Sequence, residues 1–144
     1  MHPFPHLYTV NAVVRPDGDV PLSADGVRVI ESAPPREFDG PGNQWSPEQL
    51  LTGAVADCFA LSFRAIAAAS KLRWLNLEAS TRGTLDKAQG VMRFTRFDTH
   101  AKLHVPSGTD LERARRLLEK AEQSCLVANS LAGERHLSVE IVES

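Results

Sequence analysis

The chain has 144 residues, of which 42% are hydrophobic and 24% charged, as is usual for one soluble globular domain. Its formal net charge of −2 provides no basic surface for nucleic acid or anionic lipid. No uninterrupted apolar run reaches the roughly 18 residues of a membrane span, and the opening Met-His-Pro-Phe-Pro-His lacks the pattern of a signal peptide. We therefore expect one cytoplasmic domain over residues 1–144 that binds neither nucleic acid nor membrane.

The N-terminal part of the chain predicts two strands and a loop. Tyr8 to Val14 alternates loosely, and Val27 to Glu31 is a second short β-prone run. Pro-Asp-Gly at 16–18 and Asp-Gly at 25–26 are turn signals between them. Residues 32–43 hold three prolines and two glycines and are expected to form a loop.

A long helix is predicted to begin at Ser46. Ser46-Pro47-Glu48-Gln49 supplies an N-cap serine, a proline at the first helical position and a glutamine that closes a capping box. Helical spacing continues to about Lys71, and the many alanines suit a buried helix that other backbones approach closely. The predicted inward stripe is Leu51, Ala54, Val55, Cys58, Leu61, Ala65 and Ala69.

The C-terminal part predicts three further strands and two further helices. The expected elements are a strand over 75–85, a strand over 91–105, a helix over 109–123, a short helix over 125–131 and a strand over 136–142. The apolar phase of the second of these strands changes near Thr95 or Arg96, which indicates a β-bulge. The full order is ββ-α-ββ-α-α-β, which is an α+β fold.

The two cysteines, Cys58 and Cys125, are open to three interpretations: two inert core residues, a redox pair, or one of each. They do not form a Cys-x-x-Cys pair, and two thiols alone do not complete a zinc site. Cys58 lies in mid-helix, where the helix dipole does not lower a thiol pKa and burial raises it. Cys125 is expected in the first turn of a short helix, where backbone amides favour a thiolate.

Both cysteine segments resemble the OsmC/Ohr family of thiol peroxidases. Ser46 to Leu51 followed by the small-residue helix around Ala56-Asp57-Cys58-Phe59-Ala60 is similar to the family's first cysteine signature. Cys125-Leu126-Val127-Ala128-Asn129-Ser130-Leu131 is similar to the second, and the Pro- and Gly-containing loop over 32–42 resembles the family's approach to the helix. The resemblance extends over nearly the whole chain.

The resemblance implies a fold and a chemistry. The fold is a central buried helix wrapped by antiparallel sheets in an intertwined homodimer, with active sites at the subunit interface. The chemistry is reduction of alkyl or fatty-acid hydroperoxides without a cofactor or metal. Cys58 is then the peroxidatic thiol, Cys125 resolves it as a disulfide, and an external dithiol, such as a lipoyl protein, reduces the disulfide.

Two further site residues follow from the resemblance. Glu48 matches the family's active-site glutamate. It lies ten residues before Cys58, and ten residues of straight helix span about 15 Å. Contact between the two side chains therefore requires the helix to bend or break, most simply at Gly53. Where the family has Gly-Gly-Arg, this chain has Val13-Val14-Arg15-Pro16. Arg15 is therefore the candidate for the thiolate-binding cation, with Arg36 as the alternative, and the chain is expected to represent a divergent branch.

Other interpretations stay open at this stage. The missing Gly-Gly-Arg pattern favours, as an alternative function, a non-catalytic protein that binds an apolar ligand at the dimer interface. A structural dimer with two core cysteines is a third possibility. His100 and His104 share a strand face and form either a metal-binding pair or part of a solvated surface.

Overall fold

A computed structural model describes all 144 residues as two compact units, residues 1–50 and residues 51–144. The expected single domain over the whole chain stays a prediction. The overall class is α+β, as expected, with one three-stranded sheet in each unit and a long helix that begins at the end of the first unit.

The first unit contains a small antiparallel sheet of strands β1 (Asn11–Ala12), β2 (Val20–Ser23) and β3 (Ile30–Ser32), in that spatial order. The predicted strand over residues 8–14 shrinks to two residues, and β2 was missed. Pro21 explains the omission, because proline is rare in a central strand, yet Pro21 pairs with Glu31 here. The predicted loop contains a single 3₁₀ turn at Arg36–Phe38.

Helix α1 (Pro47–Ala69) begins at the predicted capping box. The backbone amide of Gln49 donates a hydrogen bond to Ser46 Oγ at 3.1 Å, and the backbone amide of Ser46 donates one to Gln49 Oε1 at 3.0 Å. The helix ends where Lys71 adopts a left-handed φ of 57°, and the Leu72 amide reaches back to the Ala67 carbonyl at 2.9 Å. This is the 6→1 hydrogen bond of a Schellman end.

The second unit is built on strands β4 (Asn76–Ala88), β5 (Val91–Val105) and β6 (Glu134–Glu143). The β4–β5 hairpin turns through Gln89-Gly90, both with positive φ. Thr84 pairs with Arg96 and Leu85 with Phe94, so Thr95 is the extra residue of the predicted bulge.

The prediction of antiparallel sheets is wrong for the last strand, because β6 pairs with β5 in parallel. Helices α2 (Leu111–Gln123, capped by Asp110) and α3 (Leu126–Asn129) lie between these strands in the sequence. They carry the chain back to the starting end of β5, and such a crossover allows parallel pairing. The sheet is therefore mixed.

The predicted inward face of α1 is confirmed at Val55, which is buried, and Leu51 and Cys58 pack against the same cluster. It is wrong at Leu61, Ala65 and Ala69, which are exposed, because the other buried residues are Phe59, Phe63 and Ala67. The helix is apolar on every side, so periodicity alone did not select a face, and the two large phenylalanines occupy the core. By length and composition α1 could also cross a membrane, but its phenylalanine face packs on the sheet and α2.

Candidate active site

Cys125 is buried at the N-terminus of α3. It is the N-cap residue of that helix and is 1% exposed. Its thiol lies 3.9 Å from the Val55 carbonyl oxygen of α1, to which it donates a weak hydrogen bond. Cys125 shares a small apolar cluster with Val55, Phe97 and Ala128, so this thiol is held against α1 and the sheet.

Cys58 packs against the same cluster from α1. It follows Val55 by three positions and precedes the buried Phe59 by one, so it lies at the edge of the inward face and is only partly buried. Neither cysteine is in a disulfide, and both side chains lie in the same apolar cluster. The fold thus brings together the two thiols that the sequence predicted as a pair, from positions 67 residues apart in the chain.

The surroundings of Cys125 favour a neutral thiol. Burial is the largest influence and raises the pKa of Cys125, and the neighbouring Cys58 thiol acts in the same direction. The Ala128 backbone amide and the Arg135 guanidinium lower the pKa of Cys125, but by less. At neutral pH Cys125 is therefore protonated, as suits the second thiol of a pair rather than the attacking nucleophile.

Arg135 is a charged group near the thiols that the sequence analysis missed. Its Nε donates to Glu122 Oε1 at 2.8 Å and its Nη1 to Asn129 Oδ1 at 2.6 Å, while Nη2 donates to the Glu122 carbonyl. Arg135 has the same alternation phase in β6 as the core-facing Leu137 and Val139. An arginine at an inward-facing position of this strand could have indicated such a role. The predicted strand began at residue 136, however, and so left Arg135 out.

The other predicted site residues belong to the first unit. Arg15 and Arg36 are exposed there, and Glu48 lies in the first turn of α1 with its Oε1 atom buried. The expected break at Gly53 is absent, because α1 is continuous from Pro47 to Ala69. Glu48 and Cys58 of one chain are therefore separated by about 15 Å of helix axis, and the catalytic roles of Glu48 and the arginines stay predictions.

The two histidines of the possible metal pair have separate partners. His100 Nδ1 lies 2.8 Å from Ser138 Oγ, and His104 Nε2 lies 3.1 Å from Glu78 Oε2. No group of three or more His, Cys, Asp or Glu side chains is arranged to hold a metal ion. The arrangement favours the solvated surface of the sheet as the role of these histidines.

Comparison with known proteins relates the chain to one family. Residues 40–141 match the family model of OsmC-like proteins. An uncharacterized protein of Bacillus subtilis, YmaD, is 28% identical over 125 residues, which cover 85% of this chain and 83% of that protein.

Two solved structures show the same fold. An OsmC-like protein of unknown function from Vibrio cholerae has a TM-score of 0.85 at 18% identity, over 93% of this chain and 99% of that one. An organic hydroperoxide resistance protein OsmC from Legionella pneumophila has a TM-score of 0.71 at 23% identity, over 95% and 97% of the two chains.

Proposed function

Because the chain belongs to the OsmC-like family, we propose that it is a thiol-dependent peroxidase that reduces organic hydroperoxides to alcohols. The observation that carries the proposal is the pair of free thiols, Cys58 and Cys125, in one apolar cluster. The name of the Legionella protein, which refers to organic hydroperoxide resistance, supports the substrate class. An apolar surrounding also suits an alkyl or fatty-acid hydroperoxide better than hydrogen peroxide.

The two cysteines have different roles in this proposal. Cys58 is the more exposed thiol, so a peroxide reaches it first, while Cys125 is buried and protonated. The Cys58 thiolate attacks the terminal oxygen of the peroxide, an S–O bond forms, and the O–O bond breaks. The alkoxide leaves and takes a proton from solvent to become the alcohol. Cys58 is then a sulfenic acid.

Cys125 resolves this intermediate. Its sulfur attacks the Cys58 sulfur, the S–S bond forms as the S–O bond breaks, and hydroxide leaves with the thiol proton as water. A disulfide requires the two Cβ atoms within about 4.5 Å, and the position of both cysteines in one apolar cluster favours that approach. An external dithiol, for which a lipoyl protein is the proposed source, returns both cysteines to thiols. The proposed compartment is the cytoplasm.

A homodimer is part of the proposal. The face of α1 opposite to its phenylalanines is exposed, including Leu61 at 46%, and small alanines at Ala65, Ala68 and Ala69 share this exposure. Such a surface suits close packing against a second copy of the helix. Since about 15 Å of helix separates Glu48 from Cys58 in one chain, we infer that Glu48 and Arg15 act at the Cys58 of the partner.

The direct test mixes reduced protein with one equivalent of cumene hydroperoxide. We expect loss of both thiols and formation of one intramolecular disulfide, seen by intact mass and by thiol titration. The Cys125→Ser variant should still consume one equivalent and retain a sulfenic acid that a dimedone reagent traps. Cys58→Ser should leave the peroxide unconsumed.

The opposite result would identify a different function. If both thiols of the folded wild-type protein survive excess peroxide, the chain is not a peroxidase. Co-purification of an apolar ligand with that inert protein would then support the ligand-binding alternative, which the Val13-Val14 sequence in place of the family's two glycines favours.

A further inference from the structure

Arg135 connects three elements around the turn that carries Cys125. It lies in β6, its carboxylate partner Glu122 is in the last turn of α2, and its amide partner Asn129 ends α3. The guanidinium and the carboxylate of this pair are both mostly buried, with side chains 25% and 23% exposed. Charge-assisted hydrogen bonds of this kind, partly shielded from water, are stronger and more directional than surface ion pairs.

The same network fixes the backbone of the turn. The Glu122 carbonyl accepts from Arg135 Nη2 and also from the Cys125 amide, the latter at 3.3 Å. Asn129 Nδ2 donates to the Gln123 carbonyl at 3.2 Å, so the Asn129 side chain binds the end of α2 as well as Arg135. These hydrogen bonds therefore fix the turn that contains Cys125, and the guanidinium that forms several of them belongs to Arg135.

We propose that Arg135 is a positioning residue for the reductive half of the cycle, where it holds the Cys125 turn and stabilises the thiolate that leaves when the disulfide opens. The inference depends on the proposed function for its biological setting. In this half-cycle the thiolate of an external dithiol attacks the Cys58 sulfur, which is the more exposed of the two. A new S–S bond forms, the Cys58–Cys125 bond breaks, and Cys125 leaves as a thiolate that then takes a proton from solvent.

The leaving step is where a nearby cation has its largest effect. Thiol–disulfide exchange is faster when the leaving thiol has a lower pKa. Burial raises the pKa of Cys125, which slows its departure, and Arg135 opposes this through its positive charge. The attack of Cys58 on peroxide does not involve Cys125 as a leaving group, so Arg135 should influence reduction much more than oxidation.

The kinetic test uses Arg135→Gln and Arg135→Lys. Each protein is oxidised to the disulfide with diamide, so that the disulfide forms whether or not peroxide reacts, and is then reduced with dihydrolipoamide in a stopped-flow instrument. We expect Arg135→Gln to reduce about fivefold more slowly and Arg135→Lys to recover part of the rate, with oxidation of the reduced proteins by cumene hydroperoxide unchanged. The matched control is Arg96→Gln, which removes a more exposed arginine paired with Asp98 and Glu134.

A titration separates the electrostatic role from a purely structural one. In a Cys58→Ser background, thiolate absorbance reports the pKa of Cys125 alone. Loss of the guanidinium from an intact turn should move that pKa further upward, whereas a loosened turn would admit water and lower it towards its ordinary value. An unchanged reduction rate in Arg135→Gln, or a downward movement of this pKa, would overturn the inference. Failure of wild-type protein to react with peroxide would refute the proposed function alone, since neither diamide oxidation nor the titration depends on it.

Discussion

The two units of the chain differ in how well each buries its own apolar residues. In residues 51–144, strands of 13, 15 and 10 residues pack with α1 and α2 around a core that includes Phe59, Phe63 and Leu103. In residues 1–50, the strands have two, four and three residues, and only Ser32, Ala33 and Ser46 are buried. The apolar residues that remain exposed in this first unit include Leu7, Tyr8, Val10, Val13, Val14, Val27 and Val29.

This difference indicates that the two units have different roles in the protein. Strands of two to four residues contribute little stability by themselves, and the many exposed apolar residues of this unit suit an interaction surface. Both thiols lie in the second unit, whereas Glu48 and Arg15, the residues to which the family resemblance assigns the carboxylate and the cation, belong to the first. We infer that the first unit supplies these groups to a second copy of the chain.

The most direct test of whether Glu48 acts at the Cys58 of a second chain is to mix two inactive variants. Glu48→Ala and Cys58→Ser should each lose most peroxidase activity, the former by about a hundredfold, because misplacement of reacting groups has effects of that size. If Glu48 acts at the partner's Cys58, mixed dimers contain one intact site, and refolding the two variants together should restore about a quarter of wild-type activity, since half of random pairs are mixed.

The control for this experiment mixes Cys58→Ser with Cys125→Ser. Both cysteines belong to the same site of one chain, so mixed dimers contain no intact pair and activity should stay low. Recovery in the control, or none in the Glu48 mixture, would contradict the assignment of Glu48 to the partner's site.

The next largest effect concerns the self-sufficient core of the second unit. Phe63 is fully buried and contacts Trp74 edge to face, with ring centroids 5.3 Å apart. Phe63→Ala should lower the free energy of unfolding by about 3–5 kcal/mol through lost burial and a residual cavity. The matched control is Val91→Ala, which truncates an exposed side chain at the start of β5 and should leave the free energy of unfolding nearly unchanged. Urea denaturation followed by circular dichroism measures both, and equal losses would contradict the burial of Phe63 against the sheet and α2.

Much of the second unit could be predicted from local signals. The long strand over 91–105 and the bulge at Thr95 depend on residues close together in sequence, as does the capping box at Ser46 near the end of the first unit. The parallel pairing of β6 was missed because it joins positions more than 30 residues apart, and pairing direction leaves no local pattern.

The candidate site, too, was predicted only in part from the sequence. The thiol pair was predicted through a family resemblance to two short motifs, and the fold places both cysteines in one apolar cluster. Arg135 was missed because its role arises only when β6 meets the ends of α2 and α3. The inward face of α1 was predicted correctly at Val55 but not at Leu61, Ala65 and Ala69, because alanines on every side leave no single hydrophobic stripe for periodicity to select.

A smaller effect is expected at the junction of the two units, where α1 begins. Ser46 is 1% exposed, and its hydroxyl accepts from the Gln49 amide. Ser46→Ala should lower the free energy of unfolding by about 1 kcal/mol, the usual value for loss of an N-cap. Asp110→Ala, which removes the equivalent cap of α2, provides the comparison. If Ser46→Ala has no effect while Asp110→Ala does, the start of α1 does not contribute to the stability of the folded chain.

The smallest effect appears only in alkaline solution and again concerns the second unit. Burial raises the pKa of Cys125 above its ordinary value of 9.0, so the folded chain holds that proton more tightly than the unfolded chain. The contribution of this proton to the free energy of unfolding is fully present below about pH 9. It is lost as the pH rises through the raised pKa of Cys125 in the folded state. Reduced wild-type protein should therefore lose stability above pH 9 more steeply than Cys125→Ala, as measured by urea midpoints between pH 7 and pH 10.5. The two curves should be parallel below pH 8, and parallel curves throughout would mean that solvent reaches the Cys125 thiol freely in the native protein.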